Sequence, residues 1–218
     1  MYCVIKRIGD LLLSALGFVL LSPVFFAIIA AIKIGSPGPI FFRQKRIGIN
    51  KTLFYMLKFR TMRIDTPKDV PTHLLENPEQ YITKVGRFLR KSSLDELPQI
   101  FNILAGQMSI IGPRPALWNQ YDLIEERDKY DANDIRPGLT GWAQVNGRDE
   151  LPIDVKAAFD GEYVRTFGFK MDCKCFIMTI FKVLKRDGVV EGAKRDRNGS
   201  NGDEEYKETE ESSDNRSE

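Results

Sequence analysis

The chain has 218 residues, enough for one compact domain with a real core and too few to suggest a second independent one. Lys and Arg total 32 against 30 Asp and Glu, and the resulting net charge of +2 gives no reason to expect nucleic acid as a partner. A single histidine, His73, argues against His-based metal sites and Ser-His-Asp chemistry. Cys3, Cys173 and Cys175 form no disulfide framework and fit a reduced, cytosol-facing domain. From Lys6 to Arg63 the chain is basic, with Asp10 its one acid, whereas the last stretch is mostly acidic. A basic front half suits phosphates or an anionic membrane face.

In chain order, the first element is an uncharged run from Leu11 to Ile32, long enough to span a hydrocarbon core. It is longer than the apolar part of a typical signal peptide. Ser22 and Pro23 lie at its centre. Proline has no N–H for the carbonyl of Val19, so a helix-break-helix is predicted, with the Ser22 hydroxyl bonding back to Phe18 or Val19. Lys6 and Arg7 flank one end, and Lys33, Arg43, Lys45 and Arg46 the other, so both ends read as cytoplasmic. Each half would be about 16 Å long, one leaflet deep. On these residues alone, re-entrance and a plain span stay equally open.

Gly35-Ser36-Pro37-Gly38-Pro39 ends the membrane segment. Ile40–Phe42 and Leu53–Leu57, around a turn-prone Gly48–Lys51, predict a hairpin. Residues 65–79, with three prolines, predict a loop, and Tyr81–Arg90 a basic amphipathic stretch. A helix is expected from near Ser93, a loop at Gly112–Pro115, a charged helix over Trp118–Tyr130, and a second loop around Arg136-Pro137-Gly138. Leu151–Phe167 reads as a helix. Phe176, Ile180, Val183 and Leu184 form an apolar stripe beside Lys182, Lys185 and Arg186, which suits a membrane surface or the core equally. Beyond Lys194 the polar composition predicts disorder.

Ser93-Leu94-Asp95-Glu96 has the spacing of a capping box, in which Ser93 accepts from the Glu96 N–H and Glu96 reaches back. The same pair of carboxylates could instead hold a divalent cation or supply a nucleophile beside bound phosphate. Basic residues recur around it in turn-forming sequence: Lys58 and Arg60, Arg90, Arg114 between two prolines, Arg136 before Pro137, and Arg148 after Asn146-Gly147. Prolines fix such loops and glycines let them approach a ligand, which favours anion binding. No glycine-rich nucleotide fingerprint is present.

Several longer strings now become specific. KSSLDELPQIFNILAGQMSIIGPRP (Lys91 to Pro115), with RQKRIG, LKFRTM and RPGLTGWAQVNGR, resembles the bacterial sugar transferase family of monotopic phosphoglycosyl transferases, over about residues 5–188. The chain is similar to the small members, which are little more than the catalytic domain. The resemblance implies an α+β fold: a mainly helical single catalytic domain with small β-hairpins (35–190), on a re-entrant helix broken at Ser22 and Pro23 (1–34); the disordered acidic tail expected over 191–218 has no counterpart in the family. It implies transfer of a sugar-1-phosphate from a UDP-sugar to undecaprenyl phosphate, with release of UMP, on the cytosolic face of the bacterial cytoplasmic membrane. Asp95 would be the nucleophile, and Mg²⁺ would be held near Asp95 and Glu96. Arg90 and Arg114 match positions that contact phosphate, while Lys58, Arg60, Arg136 and Arg148 lie in family motifs. A homo-oligomer is compatible with this reading. A membrane-associated nucleotide-sugar diphosphohydrolase and a non-catalytic membrane-tethered scaffold are the alternatives.

Overall fold

The computed structural model describes residues 2–66, 78–147 and 151–185. His73, Arg148 and the acidic tail lie outside these residues. The expected mixed fold, mainly helical with small sheets, is found. Helix α1 (Tyr2–Gly35) leads into an antiparallel hairpin, β1 (Phe41–Ile47) and β2 (Leu53–Phe59), longer at both strands than its sequence suggests. After helix α2 (Lys84–Lys91) a short 3-10 turn (Leu94–Glu96) precedes helix α3 (Gln99–Leu104). Then come β3 (Ser109–Ile111), α4 (Tyr121–Asp128), β4 (Gly138–Thr140), α5 (Trp142–Asn146), α6 (Ile153–Arg165) and α7 (Phe169–Lys185).

The expected break of α1 into two helices does not occur, because the backbone stays helical through Pro23. The reason is local. Pro23 leaves the carbonyl of Val19 without its helical donor, and the Ser22 hydroxyl donates to that carbonyl at 2.8 Å. One face of α1 packs on the rest of the chain along its length: Asp10, Ser14, Phe25, Ile28 and Ile32 are buried. Near the first turns, Arg7 donates to the carbonyls of Ile103 and Leu104, and Asp10 accepts from the Ser109 hydroxyl and the Ile110 N–H. Tyr2 and Lys6 both donate to Asp172 of α7. Towards the other end, Phe25 packs on Phe59 and Phe101 at ring distances of 5.0 and 5.7 Å. The opposite face, including Leu12, Leu13, Leu16, Val19, Leu20 and Phe26, is apolar and exposed.

The pairing of β3 with β4 is parallel and was not foreseen, since three-residue strands bounded by Gly and Pro carry no periodicity. Their glycines make the pairing possible. A Cβ on Gly138 would fall 2.1 Å from the Gly112 nitrogen, and one on Gly141 2.0 Å from the Gly112 oxygen. Gly112 and Gly138, expected to bring backbone up to a ligand, instead bring the 112–115 and 136–138 loops against each other.

Candidate active site

The site is assembled by a clamp between β2 and α3. Asn102, buried on α3, donates to the Tyr55 carbonyl and to Gln107, and accepts from the Leu57 N–H. The two bonds to Tyr55 and Leu57 fix the strand against the helix, and the one to Gln107 holds the amide in place. Lys58, the next residue on β2, then donates to Oε1 of Glu96 at 2.8 Å, and Arg114 donates to the same oxygen at 2.8 Å. Arg46 helps hold the Arg114 loop by donating to the Pro115 carbonyl.

Those contacts overturn the capping box. Ser93 makes no side-chain cap bond, and the Glu96 carboxylate is engaged by the two cations rather than by the backbone at Ser93. Ser93 has φ 57°, a left-handed conformation that costs a non-glycine residue about 1 kcal/mol. The regular helix starts at Gln99 rather than near Ser93, because the chain passes through a 3-10 turn and Pro98 first. Pro98 has no N–H to donate to the carbonyl of Leu94, and that turn supplies the Leu97 N–H instead.

The two carboxyls are pushed apart in acidity. Burial raises the pKa of Asp95, and the neighbouring Lys58, Arg90 and Arg114 only partly offset it, with Glu96 adding to the rise. Burial acts the same way on Glu96, but Arg114 and Lys58 outweigh it and hold that carboxyl well below the usual range. Paired titratable groups with opposed shifts are a mark of a reaction centre. Arg90 lies close enough to act on Asp95 by charge, its guanidinium steadied by the Thr61 hydroxyl and the Met62 sulfur.

Thus Lys58, Arg90, Asp95, Glu96 and Arg114 come together. Arg60 does not join them: it is buried and donates to the carbonyls of Ser36 and Pro37, locking the exit from α1. Arg136 donates to the Gly106 carbonyl beyond the far end of α3 from Glu96, near Arg7. Asn102 and Thr61 were missed by sequence reasoning, since a lone Asn or Thr in a helix or loop carries no pattern. Among the described residues no group of three or more His, Cys, Asp and Glu comes together. Two adjacent carboxylates nevertheless suit a small divalent cation that completes its shell with water and substrate phosphate.

A helical domain with, among the described residues, one helix long and apolar enough to cross a membrane, and with a cationic cluster around paired carboxylates, has the features of a membrane-associated protein. The profile of the bacterial sugar transferase family matches residues 1–186, and the chain belongs to that family. It is 39% identical over 190 residues to the UDP-glucose:undecaprenyl-phosphate glucose-1-phosphate transferase of Xanthomonas campestris pv. campestris, covering 84% of this chain and 39% of that one. The protein of the same description from Escherichia coli K12 is 41% identical, over 82% of this chain and 40% of its own length. The uncharacterized sugar transferase EpsL of Bacillus subtilis is 37% identical, over 85% of this chain and 90% of its own. The chain therefore spans about two fifths of the first two relatives and most of the third.

Proposed function

We propose that this protein transfers a sugar-1-phosphate from a UDP-sugar to undecaprenyl phosphate. The observation that carries the reading is the convergence of Lys58, Arg90 and Arg114 on the Asp95–Glu96 pair, in a chain whose relatives are named for that transfer. In the first step an Asp95 carboxylate oxygen attacks the β-phosphorus of the donor. The bond from that phosphorus to the bridging oxygen breaks, and UMP leaves with the oxygen. Lys58, Arg90 and Arg114 hold the phosphate charge as it shifts to the leaving group. In the second step an oxygen of the acceptor phosphate attacks the same phosphorus, and Asp95 is regenerated. Asp95 and Glu96 would hold Mg²⁺, which when bound neutralises the diphosphate and assists departure of UMP.

In this reading α1 enters the membrane from the cytosolic side and does not carry its first residues across. Contacts at both ends support this: Tyr2 and Lys6 at one end, and Phe25 and Ile32 at the other, are held by the same folded unit. A spanning helix would separate its ends by about 30 Å of hydrocarbon. The acceptor's lipid tail would then reach the site without leaving the bilayer.

The test is to incubate purified protein with Mg²⁺, undecaprenyl phosphate and a panel of UDP-sugars that begins with UDP-glucose. Wild type is expected to give UMP and lipid-linked sugar, and Asp95→Asn to lose on the order of 10³-fold or more in rate. Equal product from both proteins would remove Asp95 as nucleophile. Sugar phosphate released without acceptor would favour a diphosphohydrolase, and silence across the panel a scaffold.

A further inference from the structure

Gln99, the first residue of α3, is closed off from solvent, and neither its amide oxygen nor its amide nitrogen has a hydrogen-bond partner. Burying an amide with both ends unpaired costs free energy that an apolar side chain of the same length does not. A buried polar group left open at rest points to another state in which it is bonded.

Its neighbours in that state follow from the backbone. The N–H groups of Leu97, Ile100 and Phe101 donate three residues back, to the carbonyls of Leu94, Leu97 and Pro98, so side chains three apart stand one above another along this segment. Glu96, Gln99 and Asn102 therefore form one row. Both ends of the row meet β2: Asn102 bonds to the Tyr55 carbonyl and the Leu57 N–H, and Glu96 accepts from Lys58. Gln99 lies between them. Helical side chains lean towards the preceding turn, and here that turn carries Glu96.

Glu96 is the group that stands to lose its partners. Lys58 and Arg114 both donate to its Oε1, and in the transfer proposed above the same two cations hold the phosphate charge of the donor. Each N–H that turns to phosphate is taken from Glu96. Its side chain is only 22% exposed, so water replaces the lost donors poorly. An amide N–H from three residues along replaces them without adding a cation that would compete for the phosphate.

We propose that Gln99 is a positioning residue whose amide N–H takes over the Glu96 carboxylate when Lys58 and Arg114 turn to the donor. The inference rests on the transfer reading. At rest the amide is unpaired. With donor bound the row closes, and Glu96 keeps its place on the turn that carries Asp95.

The test compares Gln99→Met with wild type in the full chain, since methionine keeps the length and removes both polar ends. Without donor the variant is expected to unfold at a temperature equal to or above that of wild type, because no bond of the resting structure is lost. In the transfer assay, with Mg²⁺, undecaprenyl phosphate and UDP-glucose or whichever sugar of the panel wild type prefers, its donor KM should rise about tenfold, with kcat changed much less. Combination with Glu96→Gln asks whether Gln99 acts through Glu96: the double variant should have a donor KM no higher than Glu96→Gln alone. A donor KM for Gln99→Met equal to wild type, or losses that multiply in the double variant, would overturn the proposal. So would a clear fall in unfolding temperature, which would show that the amide is bonded at rest. Absence of product from wild type as well would overturn the transfer reading, and this inference with it.

Discussion

Glu96 accepts from Lys58 and Arg114 through one carboxylate oxygen, so it organises the cations around Asp95 even where it touches no substrate. Its acidity is strengthened on folding, and a carboxylate with a depressed folded pKa adds stability above its ordinary value of 4.5 and loses it as the pH falls below. Glu96→Gln should therefore unfold at a lower temperature than wild type at pH 7 without divalent ions. The gap should narrow as the pH is taken below 4.5, which thermal unfolding in detergent would show. Ser93, two residues before Asp95, carries backbone strain at φ 57°. Replacing it with glycine should raise stability by up to about 1 kcal/mol, and with valine lower it, measured by the same unfolding experiment.

At the scale of elements, α4 and α6 are joined by a buried ion pair remote in sequence from the site. Arg127 donates twice to Asp160 Oδ2, at 2.8 and 2.6 Å, and the side chains are 4% and 1% exposed. Removing one partner leaves the other charge buried and uncompensated. Arg127→Met should cost about 3–5 kcal/mol of stability, whereas a paired change to apolar residues at both positions should cost much less. Chemical denaturation of the single and double variants distinguishes the two. The hairpin and the longer helices were legible because aromatic and branched runs, and apolar residues on a helical period, record their burial locally. The β3–β4 pair was not, because its stability comes from close backbone approach between segments almost thirty residues apart in sequence.

For the whole molecule, the two-ended attachment of α1 is the feature on which membrane topology turns. Asp172 gathers the Tyr2, Lys6 and Tyr163 side chains, and so ties the first turns of α1 to α7. Asp172→Ala should loosen the first turns of α1 while leaving the Phe25–Phe59–Phe101 contacts in place. Hydrogen exchange should then rise over residues 2–10 and stay slow over 25–32. Uniform protection in the variant would show that the apolar and Arg7 contacts suffice to hold that end.

The sequence by itself determined the long apolar segment, the carboxylate pair and the motifs that mark the family, because each is written in neighbouring residues. Which basic residues serve the site was decided only by tertiary structure. Lys58, Arg60, Arg90, Arg114 and Arg136 look alike as charges in turn-rich sequence. Folding turns Arg60 to the Ser36 and Pro37 carbonyls and Arg136 to Gly106, and leaves Lys58 and Arg114 on Glu96. A guanidinium goes to whichever carbonyl or carboxylate the packing brings within reach, and that distance is set by chain segments far away in sequence.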